Sequence, residues 1–287
     1  LDALPQRLAM VGGGYIAVEF ACLLTRFGVA VTIFEGEDQI LDGFEASSVA
    51  ALRASMEKDG ITVLVGEDVD RIEHPASGPV VVRVDGERSG PFDRVALVVG
   101  RAPNSEGIGL PEIGVSLGPS GQIEVDDRGR TSVDGVLAVG DVARQPQLTP
   151  VARSDGRNAI DALLGRPTSP IDPDLIPTAV FATPELGSVG LTEAEARRRG
   201  LAVEVRRTRF TPLTGALGAE DDPVRITLVS EKGSGVVLGL HIVGDSAAEI
   251  VQLMALALTR RTTLEDLART MQLHPTIAEE IPALASD

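Results

Sequence analysis

Residues 8–21, LAMVGGGYIAVEFA, constrain this chain more than any other stretch. A short apolar run suited to a buried strand (residues 7–11) meets three consecutive glycines. A helical pattern then runs from Tyr15 to about Phe27, with Gly28 placed to end it. Gly12, Gly14 and Ala17 form a G-x-G-x-x-A pattern between strand and helix. Gly12 permits the tight turn, Gly14 lets a diphosphate approach the backbone, and the small Ala17 allows close helix–strand contact. The helix N-terminus offers its unpaired N–H groups to the phosphates. The next apolar run, VAVTIFE (29–35), reads as a parallel strand ending on Glu35, where a ribose would be held. A bare glycine pattern is weak. This one has the strand, the helix and the acid it needs, so it reads as a dinucleotide site rather than a ligand-free turn.

Charge chooses the dinucleotide. Glu35 can accept both ribose hydroxyls of NADH, whereas the 2′-phosphate of NADPH would meet its negative charge. At about 4 Å and an effective dielectric near 20, each such repulsion costs roughly 4 kcal/mol before salt screening. The stretch EGEDQILDGFE (35–45) contains no Arg or Lys to offset it. Ala17 in place of a third glycine points toward NADPH, but the charge effect is the larger. NADH is preferred.

The totals exclude other classes. A formal charge of −16 and a pI near 4.6 argue against nucleic acid and anionic membrane as partners, since both reward basic surfaces. No apolar run approaches the roughly 18 residues of a membrane span, and no secretory leader pattern is present. A cytoplasmic location is expected. The single cysteine, Cys22, rules out an internal disulfide framework. It sits mid-helix beside Ala21, Leu23 and Leu24 and reads as a small core hydrophobe. The sequence opens on Leu1 rather than Met and reaches its first strand at Leu8, so a fragment of a longer protein is expected.

Along the chain the rhythm changes twice. Residues 45–59 are helical with Gly60 closing the helix, and ITVLVG returns to strand. PVVVRVDG and RVALVVG are β-type runs with no helix between them. Residues 105–165 carry Gly- and Pro-rich turns, an expected strand GVLAVGD (135–141) and a helix from about Pro150 to Leu164. GRPTSPIDPDLIP (165–177) is a connector. Beyond it, TAVFA, VEVRRTRF, VRITLVSE and GVVLGLHIVG read as antiparallel strands, the last two joined by a Lys232–Gly235 turn. Three helices carry capping signals: Thr192 with Glu195, Ser246 with Glu249, and Thr263 with Asp266. His241 within its strand and His74 beside Pro75 read as structural.

With these motifs in place, the chain resembles the pyridine nucleotide–disulfide oxidoreductases, the flavoenzyme family of glutathione reductase and dihydrolipoamide dehydrogenase. After GGGYIAVEFA the likeness continues in order through VGRAPN (99–104), TSVDGVLAVGD (131–141), LTPVA (148–152), FATPELGSVGLTE (181–193) and HPTIAEE (274–280). The resemblance implies an α/β chain in three parts. These are a Rossmann-type NAD-binding domain (1–104), the second part of an FAD-binding domain (105–170) and an α+β interface domain that dimerises (171–287). It implies FAD and NAD as cofactors, a homodimer, and a small-molecule disulfide or related acceptor.

Site roles follow from the same resemblance. Tyr15 would be a lid over the nicotinamide pocket, lined also by Ile16, and Glu19 would sit near the flavin and pair with a lysine from the N-terminal half. Gly13 and Gly100 would contact the nicotinamide nucleotide through the backbone. Asp141 would hold a ribityl hydroxyl of FAD, and Thr149 would start a helix whose dipole favours negative charge on the reduced flavin. His274 would be the acid/base for redox thiols, oriented by Glu279 and acting on the partner subunit's disulfide; imidazole titrates close enough to neutrality for that exchange. Those thiols, in a C-x4-C pair after a first glycine loop, would lie upstream of Leu1, so the chain alone is expected to be inactive.

The chain also departs from the family pattern. Gly36 and Asp42 stand where glutathione reductases carry the two arginines that grip the 2′-phosphate, which again favours NADH. Ile277 takes a usually small position, and Arg153 puts a charge on the flavin-site helix; either suggests an altered substrate. Two rival readings stay open. One is an NAD-binding dimeric module without redox activity, and the other is one half of a split enzyme.

Overall fold

The computed structural model describes residues 3–144, 146–213 and 223–286. The chain ends, Leu1 and Asp287, which bound the expected domains, lie outside them. Two compact units emerge: residues up to Val99 together with those from Pro177 onward, and Gly100–Ile176.

In the first unit, β1 (Arg7–Val11), β2 (Ala30–Glu35), β3 (Thr62–Val65) and β7 (Arg94–Leu97) form a parallel sheet in the order β3-β2-β1-β7. Helices α1 (Tyr15–Arg26) and α2 (Ala46–Lys58) make the crossovers that parallel strands require. Both helices stop where the glycines stand, Gly28 at φ +84° and Gly60 at φ +92°, conformations that L side chains resist. Between β3 and β7 runs a small antiparallel sheet of β4 (Val69–Glu73), β5 (Val80–Arg83) and β6 (Arg88–Ser89), of which only the β5 run was evident from the sequence. It covers one face of the parallel sheet through Ala9, Phe34, Val81 and Phe92, with Phe34 and Phe92 edge to face at 6.2 Å.

The same unit contains a five-stranded antiparallel sheet in the order β10-β11-β12-β9-β8. Its strands are β8 (Thr178–Val180), β9 (Leu186–Gly190), β10 (Val203–Phe210), β11 (Val224–Glu231) and β12 (Val237–Val243). β9 was missed because two glycines and a serine leave Val189 as its one β-branched residue; the glycines are there because α5 (Ala247–Thr259) and β12 press close. A Cβ on Gly187 would lie 2.6 Å from the Ala247 carbonyl oxygen. The cores of the two sheets merge: Val180, Ala182, Leu186 and Val243 belong to the same apolar cluster as Ile33, Leu52 and Met56. A buried polar network crosses the same junction. The Glu45 carboxylate accepts the Glu193 N–H (3.0 Å) and the Ser47 hydroxyl (3.2 Å), with the Arg207 guanidinium at 3.3 Å. Buried carboxylates persist only when supplied with such partners.

Two of the three capping signals hold. Thr192 accepts the Glu195 N–H at the start of α4 (Glu193–Arg198), and Thr263 with Asp266 forms a full capping box on α6 (Leu264–Ala268). The third is corrected. Ser246 adopts a left-handed conformation (φ +62°) that gives its side chain no cap hydrogen bond; Glu185, remote in sequence, accepts the Ala248 N–H instead (3.4 Å).

In the second unit, α3 (Thr149–Leu163) follows a series of turns packed on Leu110, Val115, Ile123 and Ala138. The expected strand over 135–141 is also corrected. Among the described residues Leu137 pairs only with Arg130, as an isolated bridge, and Gly140–Val142 closes as a 3-10 turn. A strand needs a ladder partner along its length, and beyond that one bridge these residues have none among the described residues of the unit. Val136, Leu137 and Val139 are half-buried; the exposed apolar residues of this unit include Ile108, Ile160, Leu163 and Leu164.

Candidate functional site

The expected site residues fall into three groups. The first gathers at the C-terminal end of β1. Gly12 has φ +104°, donates its N–H to the Phe34 carbonyl (2.8 Å), and has no room for a side chain, since a Cβ would lie 2.6 Å from the Val98 carbonyl oxygen. Gly13 is just as confined: its Cβ would meet Glu35 Oε2 at 2.7 Å and Ile40 Cγ2 at 2.8 Å. Gly14 differs, with nothing within 4 Å of the position a Cβ would take. It is the N-cap of α1, and no side chain caps that end. Ala17 is fully buried, as close helix–strand packing requires. Thus two glycines keep the loop tight and the third leaves open space before an uncapped helix terminus. Such a loop can receive a diphosphate.

Glu35 stands against the loop. Its Oε2 accepts the Gly13 N–H at 2.5 Å and its Oε1 the Glu37 N–H at 3.0 Å, so the carboxylate is fixed beside the loop with lone pairs to spare. Leu41, at φ +53°, donates its N–H to the Gly13 carbonyl (2.9 Å), which lays the acidic segment after β2 over the loop. Ile40 and Leu41 were not picked out from the sequence; two buried aliphatics inside an otherwise polar stretch were the available signal. Tyr15 is exposed, Ile16 is half-buried, and Glu19 accepts the Phe181 N–H through Oε1 (2.9 Å). Phe181 is itself exposed, so the far side of Glu19 carries an apolar residue on the surface.

The second group lies in the smaller unit. Gly100 is exposed at φ +113° with open space around it. Asp141 is exposed in the 3-10 turn; its carbonyl accepts from Gln147 (3.4 Å), while its carboxylate has no partner among the described residues. The turn approaches α3 closely, since a Cβ on Gly140 would lie 3.1 Å from Ala152 Cβ. Thr149 opens α3 behind Leu148, which gives no side-chain cap, and Pro150 occupies the first turn. A carboxylate without a partner among the described residues, beside an uncapped helix start, suits a ligand that offers a hydroxyl and draws on the helix dipole. Arg153 points its charge outward from this helix, being exposed.

The third group is His274 with Glu279. His274 Nδ1 stands 3.0 Å from Glu279 Oε2 and 3.2 Å from Oε1. An ionised carboxylate can only accept, so Nδ1 is the donor of this pair and Nε2 is the ring nitrogen not engaged by Glu279. The imidazole side chain is 78% exposed and Glu279 only 19%, so the base faces outward from a fixed support. That support is a capping box. Thr276 accepts the Glu279 N–H (3.2 Å), and Glu279 Oε1 accepts the Thr276 N–H (3.3 Å). The T-x-x-E spacing in PTIAEE was legible as such a box, and only the role of Glu279 beside the histidine was read. Exposed Met271 and Leu273 flank the pair, and Leu253 and Leu256 are exposed on α5 although its other face is buried.

Cys22 and His241 are held in the core. Cys22 is buried, and burial pushes its thiol pKa up, away from a reactive thiolate. His241 is fully buried between the Ser188 hydroxyl (2.8 Å) and the Leu191 carbonyl (3.1 Å), and burial holds its pKa down. His74 is exposed. Among the described residues no cluster could hold a metal ion, and no helix is long and apolar enough to cross a membrane.

Sequence and structure comparisons agree with this geometry. The profile of the pyridine nucleotide-disulphide oxidoreductases matches residues 1–156, and that of their dimerisation domain matches residues 176–285. A glutathione reductase from Burkholderia cepacia is 39% identical over 280 residues, which cover 98% of this chain and 62% of that protein. A dihydrolipoyl dehydrogenase from Geobacillus stearothermophilus is 36% identical over 281 residues, covering 97% and 60%. Among solved structures, LpdA from Mycobacterium tuberculosis aligns with a TM-score of 0.88 at 28% identity, over 100% of this chain and 62% of its own. The HOCl-induced flavoprotein disulfide reductase RclA from Escherichia coli aligns at 0.90 and 26%, over 100% and 66%. The chain therefore spans about 60% of the length of the curated relatives it matches.

Proposed function

Because the chain belongs to the pyridine nucleotide-disulphide oxidoreductase family, whose members use FAD and NAD(P)H, we propose that it is the C-terminal part of an NADH-dependent flavoprotein disulfide reductase. Three parts are proposed, as the sequence divided them: NAD-binding (1–104), second part of the FAD domain (105–170) and interface (171–287). The observation that carries the reading is the outward-facing His274–Glu279 pair, a base and its support with no thiol of this chain to serve. The bound cofactors supply hydride transfer from NADH to flavin and electrons onward to a redox disulfide. The chain's own residues do the rest.

The loop at Gly12–Gly14 and the N-terminus of α1 hold the diphosphate, and Glu35 accepts the ribose hydroxyls. Tyr15 and Ile16 shape the nicotinamide pocket, Gly100 meets the nucleotide through its backbone, and Glu19 lies toward the flavin. Asp141 accepts a hydroxyl of the ribityl chain, and Thr149 starts the helix whose dipole favours negative charge there. His274 Nε2 takes a proton from a thiol sulfur and returns it to the leaving thiol, while Nδ1–H stays on Glu279. Homodimerisation through 171–287, with exposed Leu253, Leu256, Met271 and Leu273 as its apolar material, would bring this base to the partner's disulfide. Thiol-generating chemistry of this kind fits a reducing compartment, the cytoplasm.

Glu35→Ala tests the nucleotide half of this reading. Losing a charge-assisted acceptor costs about 1.5–3 kcal/mol, so NADH affinity is expected to fall by about ten- to a hundredfold. Calorimetric titration of the chain reads this out. An unchanged NADH affinity would remove Glu35 from the site.

A further inference from the structure

Resting on the NADH reading above, one feature of the β3–β4 loop adds to it. Gly36 follows Glu35 directly, at the end of β2 where the adenosine ribose is held. In the side-chain direction of Gly36 stands the carboxylate of the exposed Asp68. A Cβ there would collide with Asp68 Oδ1, with Asp68 Cγ at 3.3 Å and its Cα at 4.0 Å. The Asp68 backbone is held there, because its loop is tied to the end of β2, while its exposed carboxylate can rotate. The Glu67 N–H is bound to the Glu35 carbonyl and the Gly66 N–H to the Glu37 carbonyl, both at 2.8 Å, while the Asp68 carbonyl accepts the Val84 N–H at 2.9 Å. The basic group on the adjoining strand, Arg83, is committed to Glu67 at 2.7 Å, with Asp85 and Glu87 at 3.7 and 3.8 Å.

We infer that Asp68 is a second selectivity residue of this nucleotide site, acting through the space in front of Gly36. It has two effects there. Its carboxylate adds a negative charge beside Glu35 on the side where NADPH carries its 2′-phosphate. It also lies within reach of any side chain at position 36, so a guanidinium introduced there would pair with Asp68 instead of with a phosphate. Selectivity for NADH is thus built by two strands, with Glu35 ending β2 and Asp68 following β3. Changing the β2 end alone does not reverse it.

The test measures NADH and NADPH dissociation constants by calorimetry for the 287-residue chain, Gly36→Arg, Asp68→Ala and the combined variant. Asp70→Ala serves as a control for overall charge, since Asp70 pairs with Arg71 at 2.6 Å on β4. Exposed charge effects are small, so Asp68→Ala is expected to tighten NADPH about threefold with NADH unchanged, and Gly36→Arg alone less than about threefold. The combined variant is expected to gain about thirtyfold or more, beyond the product of the single changes. Asp70→Ala leaves NADPH where it was. Gly36→Arg alone matching the combined variant, or Asp70→Ala matching Asp68→Ala, would overturn the inference. A different failure, the unaltered chain binding neither nucleotide or preferring NADPH, would overturn the NADH reading itself and this inference with it.

Discussion

Gly12→Ala is expected to destabilise the folded chain by about 2–4 kcal/mol, while Gly14→Ala, two residues away, costs under about 1 kcal/mol. The same methyl group meets opposite conditions. At Gly12 it forces φ +104° on an L residue and lands 2.6 Å from the Val98 carbonyl oxygen, a backbone atom in the run just beyond β7. Relief would require moving the parallel sheet, since Val98 donates its own N–H to the Val11 carbonyl at 2.8 Å. At Gly14 the backbone is extended and the methyl meets nothing, so the fold tolerates it. Under the proposed function the loss there falls on binding, because the methyl fills the space proposed for the diphosphate. Denaturant titration with NADH calorimetry on both variants separates these outcomes. Equal stabilities for the two would contradict the assigned division of labour.

The second large effect concerns His274. In the proposed whole enzyme, His274→Gln is expected to lower NADH-driven disulfide turnover by about 10²–10⁴-fold, the usual worth of a positioned acid/base. NADH affinity and the reduction of ferricyanide, which takes electrons without thiol protonation, are expected to persist. This follows from the geometry. Nδ1 is held by Glu279, which Thr276 holds in turn, so only Nε2 is available and it faces outward. Parallel loss of ferricyanide reduction would show a structural role for the residue instead.

Much of this was legible because it is local. The glycine loop, the helix ends at Gly28 and Gly60, the capping box at Thr263 and the His274–Glu279 spacing are each decided by residues within a few positions of one another. What escaped depends on partners remote in sequence. Ser246 carried the right cap residue, but its left-handed conformation hands the role to Glu185, some sixty positions away. GVLAVGD has the composition of a strand and lacks a ladder partner among the described residues of its unit. β9 was hidden by glycines that are there because α5 and β12 lie against them. At the site, Glu35 was read as a ribose acceptor, but its hold on the Gly13 and Glu37 N–H groups was not. Nor was Asp68 in front of Gly36, since no spacing rule links the ends of two neighbouring strands.

The central claim is that these residues serve electron flow from NADH through flavin to a disulfide. It is tested most directly by following the flavin absorption band of the proposed whole enzyme, loaded with FAD, under anaerobic conditions. NADH should bleach the band, and a small disulfide added afterward should restore it. A band that NADH leaves unchanged, or one that bleaches and is not restored by any disulfide, would contradict the account.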